Sequence, residues 1–347
     1  MLVDSPPEQR AETAPASPTR RAVRPLGLVL AVAVLVLVAL ASIAIGAKAL
    51  SLDQVWHGLF HDTGTYGDVV VDERLARTLL GLLAGAALGL SGAVLQALTR
   101  NPLADPGLLG INAGASAAVV TAITFFGVTS LSGYVWFAFL GAAAVGALVW
   151  FLGGSRGATP VRLALAGTAI SAALYGYLQA VMIMDDAALG RMRFWTVGSL
   201  ASATNTAIAQ VLPFLAAGTL LALALARPLN AMTMGDDTAR ALGARPHRTR
   251  ALAMLAATVL CGAATAACGP IVFVGLMVPH AVRSFTGPDL RWILPYAAVL
   301  SPVLLLGADV VGRVVARPAE LQVGIVTAVI GGPVFIFLVR RRRTAQL

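Results

Sequence analysis

The amino-acid sequence predicts an all-α integral membrane protein of about ten transmembrane helices. Three observations lead there. Of the 347 residues, 58% are hydrophobic and only 12% charged, and apolar stretches of membrane-crossing length follow one another from Leu26 to Val339. A soluble domain usually carries about 25% charged residues, and a transmembrane helix needs about 20 mainly apolar ones. At a mean hydropathy of +0.83, no water-soluble fold could hide so much apolar surface. The membrane domain is expected over residues 25–340. Before it, residues 1–24 are expected to form a disordered cytoplasmic tail rich in Pro, Ala, Glu and Ser; after it, residues 341–347 form a basic cytoplasmic tail.

Breaking the apolar run at its polar, Gly and Pro punctuation gives spans near 25–47, 74–99, 108–127, 133–153, 161–184, 205–226, 249–268, 270–287, 293–316 and 322–340. The first follows Arg20, Arg21 and Arg24 like a secretory signal, but its apolar run is too long for one and no A-x-A-type site clearly follows. It reads as a retained span. The eighth is interrupted by Pro279 and His280. Gly81, Gly85 and Gly89 recur every fourth residue in the second span, making a face where another backbone can approach, within the bundle or between subunits.

With the N-terminus in the cytoplasm, 18 positive residues fall on the inner side and 7 on the outer: Lys48, Arg74, Arg77, Arg191, Arg193, Arg313 and Arg317. That asymmetry places both termini in the cytoplasm. The net charge of +9 is therefore topology and lipid contact, and nucleic acid is not an expected partner. Cys261 and Cys268 lie seven apart in one apolar segment, roughly 10 Å along a helix, too far for a disulfide. No cofactor or metal site is implied.

Chemistry of its own is hard to assign to the chain. A P-loop needs a lysine after glycine to reach nucleotide phosphates, and the only lysine, Lys48, follows Ala47. No nucleophile–base pair or paired intramembrane carboxylates suggest an enzyme. Among ionisable groups deep in the spans, Asp309 is the clearest, with Arg313 four residues on along the same helix face. A structural ion pair is favoured there over the proton relay of an ion-coupled carrier.

Polar residues gather in three places. The longest cytoplasmic loop, Arg227 to Arg250, contains a short amphipathic helix: Asp236 and Asp237 suit its N-terminus, Gly243 its left-handed ending, and Ala239 with Leu242 would form an apolar knob suited to docking a partner. RNPLADP, Arg100 to Pro106, reads as a rigid connector in which Asn101 and Asp105 bond freed amides. GPIVFVGLMVPHAVR, Gly269 to Arg283, mixes Gly, Pro, His and Arg into an apolar stretch, as broken helices in transporters do. His280 within it is expected to be structural.

These segments together resemble the FecCD family, the iron-siderophore and cobalamin importer permeases of type II ATP-binding-cassette systems. The resemblance covers roughly residues 68–340. It is carried by RLAR (Arg74 to Arg77), GAALGLSGAVLQALTRNPLADPGLLG (Gly85 to Gly110), FWTVGSL (Phe194 to Leu200) and GDDTARALGA (Gly235 to Ala244). It continues through GPIVFVGLMVPHAVR, ADVVGR (Ala308 to Arg313) and ELQVGIVTAVIGGPVF (Glu320 to Phe335). The family often has Pro where this chain has Ala76 and Gln322, a departure that touches only local turns.

The resemblance implies a ten-helix permease subunit of the cytoplasmic membrane, paired with a second permease copy or paralogue around a central pathway. It implies separate cytoplasmic ATPase subunits docked on a coupling helix matching Gly235 to Ala244, with Gly235, Asp236, Asp237, Ala239, Leu242 and Gly243 as its residues. Arg74, Arg77 and Arg313 match arginines that meet carboxylates of an extracytoplasmic substrate-binding protein, a role suited to the guanidinium fork. The cargo it implies is ferric siderophore, with haem or cobalamin as alternatives.

Overall fold

The computed structural model describes residues 18–48, 50–60, 64–154 and 160–344. The expected tail up to residue 17, Arg10, Arg156 and residues 345–347 lie outside the described residues. Fourteen α-helices are present among the described residues: α1 (Pro18–Ala44), α2 (Leu52–Phe60), α3 (Tyr66–Leu98), α4 (Ile111–Phe126), α5 (Leu131–Gly154), α6 (Pro160–Met184) and α7 (Asp186–Trp195), then α8 (Asn205–Ala224), α9 (Ala226–Thr233), α10 (Asp236–Ala241), α11 (Pro246–Cys268), α12 (Val274–Thr286), α13 (Leu290–Val315) and α14 (Val323–Thr344). Seven are long and apolar enough to cross a membrane, and α4 and α14 contribute shorter apolar stretches. With α12 they account for the ten spans read from the sequence.

Four helices lie outside that set. α2, α7, α9 and α10 are 9, 10, 8 and 6 residues long, too short to span. α7 is built where Asp185 turns the chain: its carboxylate accepts the N–H groups of Ala187 and Ala188 at 3.0 and 3.1 Å, and the Thr124 hydroxyl at 2.8 Å. α3 starts eight residues before the expected span, because the Thr65 N–H donates to the Asp68 carboxylate at 2.9 Å and caps two further turns. At its other end α14 continues through Thr344, into the stretch expected as a basic tail.

The bundle is organised around α3 and α11. Of their most apolar windows 78% and 72% are buried, against 11% for α1 and 17% for α6. The glycine face of α3 packs within the subunit: a Cβ on Gly81 would meet Leu306, one on Gly85 the Pro302 backbone, and one on Gly89 Ser301, all on α13. Gly92 carries the closest approach on α3, where an added Cβ would fall on the Gly275 carbonyl of α12. Gln96, one turn further, donates to the Leu276 carbonyl at 3.0 Å.

The eighth expected span is shorter than its apolar run. α11 stops at Cys268, and Gly269 to Phe273 turns without helix before α12 begins. Such backbone is tolerated in a membrane protein where it is buried in protein. Here Ser199 N–H donates to the Cys268 carbonyl at 2.7 Å at the start of the turn, and Gly269 packs against the Trp195 backbone. Cys261 and Cys268 are both buried as free thiols.

The glycine contacts make an uneven prediction. Gly92→Ala forces the Gly275 backbone aside and is expected to cost about 1–3 kcal/mol or more. Gly176→Ala, with nothing within 4 Å of an added Cβ, should be neutral or stabilise α6 by up to ~1 kcal/mol. Thermal unfolding of the two purified variants in detergent tests the difference.

Candidate functional sites

Two polar clusters stand at opposite ends of α3. The first gathers α1, α3 and α13. Asp309 has no exposed surface, and both its oxygens accept from Arg77: Nη2 at 2.7 Å and Nε at 3.0 and 3.1 Å. Arg313, one turn along α13, approaches the same carboxylate at 3.1 Å. Arg77 Nη1 donates outward to Glu320 at 2.6 Å, and Glu320 is about one-third exposed, at 34%. Two guanidiniums and two carboxylates thus neutralise one another around the buried Asp309. The Asp309–Arg313 pair expected from sequence is present as part of this larger network.

Other guanidinium nitrogens cap the end of α1. The last carbonyls of a helix have no partner inside it, and cations suit that end of its dipole. Arg313 donates to the Ser42 carbonyl at 2.9 Å and its hydroxyl at 3.0 Å. Arg74 donates to the carbonyls of Ile43 and Ala44, both at 3.0 Å, and of Lys48 at 2.5 Å. Arg317 reaches the Gly46 carbonyl at 2.7 Å. The three arginines singled out in the sequence are therefore brought together, and all are buried: Arg74 at 6%, Arg77 at 9% and Arg313 at 1% exposure. Sequence reasoning assigned no role to Ser42, which lies in no motif, or to Glu320, which opens the ELQVG motif but meets Arg77 only through the fold. Ala76 lies inside α3, which runs on without a proline break.

At the same end, a cavity of about 440 Å³ opens between α5, α7 and the end of α11, with Tyr134, Arg191, Trp195, Ser199 and Gln322 in its wall. Among the described residues, no three of His, Cys, Asp or Glu converge as a metal site.

The second cluster lies at the other end, around α10. Gly235 precedes the helix, Asp236 and Asp237 open it, and Gly243 ends it at φ +82°. Asp236 accepts from Arg250 at 2.6 Å and from Arg100 at 2.8 Å, while Asp237 points to solvent and pairs with Arg240 at 2.6 Å. Ala239 and Leu242 do not share a face, contrary to the sequence reading. Ala239 is fully buried, whereas Leu242 is 65% exposed, as is Met234 at 67%. The helix stops at Ala241, so Leu242 is the capping residue and leaves the stripe. Nearby, Asn101 and Asp105 accept the N–H groups of Leu103 and Gly107 at 3.0 and 2.8 Å, the turn bonding expected of the connector.

A bundle of about ten apolar helices, with short helices set outside it, is that of a polytopic membrane protein, and its likeness to known chains makes it a transport permease. The solved structure of a metal-chelate-type ABC transporter in an inward-facing conformation matches with a TM-score of 0.80 and 29% identity, covering 91% of this chain and 99% of that one. The FecCD transport family model matches residues 34–341, and the chain belongs to that family. It is 49% identical over 306 residues to the ferric enterobactin transport system permease protein FepD of Escherichia coli, covering 87% of this chain and 91% of the relative. It is 37% identical to the hemin transport system permease protein HmuU of Yersinia pestis, covering 87% and 91%.

Two predictions follow from the clusters. Asp309→Ala leaves two guanidiniums buried without their anion and is expected to cost about 3–5 kcal/mol, read as loss of thermal stability in detergent; Glu320→Gln, at the rim, should cost far less. At the other cluster the hydrogen bond from Arg250, with Arg100 beside it, holds the Asp236 carboxyl below the ordinary carboxylate range. A depressed acid stabilises the fold above its unfolded value, about pH 4, and loses that contribution as pH falls through its lowered folded value. Protease cleavage within residues 236–245 should therefore accelerate only below about pH 4.

Proposed function

We propose that this chain is the membrane-spanning subunit of an ATP-driven importer that carries ferric siderophore across the cytoplasmic membrane. The observation that carries the cargo is the 49% identity, over 87% of the chain, to a ferric enterobactin permease. Haem is the second reading, favoured by the 37% identity to a hemin permease. The chain makes no covalent change to cargo. With its only lysine outside any P-loop, hydrolysis belongs to a partner.

Cytoplasmic ATPase subunits would dock on α10. Leu242 and Met234 offer an exposed apolar contact there, on a helix framed by Gly235 and Gly243 and opened by Asp236 and Asp237, with Ala239 seating it on the bundle. The 18-to-7 division of positive residues supports this end, and both termini, facing the cytoplasm. At the far end a substrate-binding protein would meet the arginine cluster. A partner carboxylate would exchange with Glu320 on Arg77 and approach Arg74, while Arg313 holds Asp309 beneath them. Membrane lipid covers α1.

A second permease subunit, a further copy or a paralogue, would face α6. That helix exposes Tyr175, Tyr177 and Gln179, and polar groups in a span favour a protein or water-lined surface over lipid.

The test is uptake of radio-iron siderophore into vesicles holding this chain with its ATPase and binding protein, with haem and cobalamin in parallel. ATP-dependent iron uptake is expected, abolished by Leu242→Glu. Uptake of haem or cobalamin alone changes the cargo, and uptake that follows a proton gradient without ATP refutes the mechanism.

A further inference from the structure

Arg100 holds a backbone conformation that its residue type resists. It directly follows Thr99, the C-cap of α3, with φ +51°. Its N–H donates to the Ala97 carbonyl and the Asn101 N–H to the Gln96 carbonyl, both at 3.2 Å. These are the two bonds of a Schellman ending, whose left-handed position is usually glycine. α10 ends in the same motif with glycine in place: Gly243 donates to Arg240 and Ala244 to Ala239, both at 2.9 Å. An L side chain adopts this conformation at a steric cost that glycine escapes. A strained residue where glycine fits better points to work done by its side chain.

The guanidinium shows what that work is. Arg100 Nη2 donates to the Met232 carbonyl at 2.5 Å, in the last turn of α9, and to Asp236 at 2.8 Å, the first residue of α10. It therefore bridges the break between α9 and α10 and ties both to the end of α3. The second Asp236 oxygen is held from α11 by Arg250 at 2.6 Å. α10 packs chiefly against α9 and α11, so its bond to α3, a central helix of the bundle, runs through Arg100.

We propose that Arg100 is a positioning residue for energy coupling: its side chain makes a displacement of α10 a displacement of α3. The proposal rests on the reading of α10 as the ATPase-facing helix. Charge-assisted bonds shared among α3, α9 and α10 supply the stiffness, and without them α10 can shift on its loop while α3 stays in place.

The experiment uses the whole importer in proteoliposomes, with Arg100→Gly, Arg100→Lys and Leu242→Glu beside the native chain. Arg100→Gly suits the left-handed ending, so its thermal transition should equal or exceed the native one. It is expected to keep the ATPase bound and hydrolysing within about twofold while uptake falls about tenfold, the scale of a single coupling contact. ATP used per cargo then rises about tenfold. Arg100→Lys, which can reach one acceptor, should recover part of the uptake. Native uptake per ATP in Arg100→Gly overturns the proposal. So does loss of the ATPase from that complex, which would make Arg100 a docking contact. Retained binding and uptake in Leu242→Glu would instead remove the reading of α10 on which the proposal rests.

Discussion

A carboxylate with no exposed surface has to be compensated where it stands, and the placement of α1, α3 and α13 follows from how Asp309 meets that demand. The glycine seam between α3 and α13 brings the two backbones close but specifies little, since small residues let helices slide and rotate at low cost. The Arg77 fork on Asp309 fixes rotation and register at once, because its two parallel bonds form in one geometry only. Replacing a buried ion pair with apolar residues is often no less stable. The value of this pair therefore lies in the specificity of the α3–α13 alignment, and the arginine caps on the end of α1 inherit their geometry from it.

The same arginines settle the end of α1. That helix is 11% buried over its most apolar window, so apolar packing alone holds it loosely. Its orphan carbonyls are the part of it that most needs protein, and Arg74 of α3, Arg313 of α13 and Arg317 of the turn after α13 supply donors. Arg313 serves both demands, with one face on Asp309 and the other on Ser42. A docking partner at this end would therefore act on a network of four guanidiniums and two carboxylates, with Arg317 and Glu320 as its exposed members.

How much of this was legible depended on the range of the signal. Hydropathy is local, so the ten spans could be read directly, as could the capped helix over Asp236 to Gly243. α2, α7 and α9 escaped because short helices of mixed polarity have no membrane-length signal, and α7 shows itself only in the Asp185 cap. The arginines could be grouped by motif, but Arg74, Arg313 and Arg317 reach main-chain carbonyls 26 to 271 positions away, and no residue type marks a carbonyl as orphaned. Arg100 was legible only as part of a rigid connector. Its positive φ and its reach to Met232 belong to the folded chain.

α3 then acquires a role that neither cluster alone would give it. α8, α12, α13 and α14 each carry a proline inside the helix, which removes a backbone bond and invites a bend. α3 runs 33 residues from Tyr66 to Leu98 with none, and α11 has proline only at its first position, where it does no harm. The two most buried long helices are thus also proline-free beyond the first turn. From Arg77 to Arg100 is roughly 35 Å at 1.5 Å per residue, so one stiff element joins the Asp309 cluster to the Asp236 cluster. Prolines interrupt the backbone ladders of α1, α8, α12, α13 and α14, so those helices can bend while the unbroken ladder of α3 links the Asp309 cluster to the Asp236 cluster.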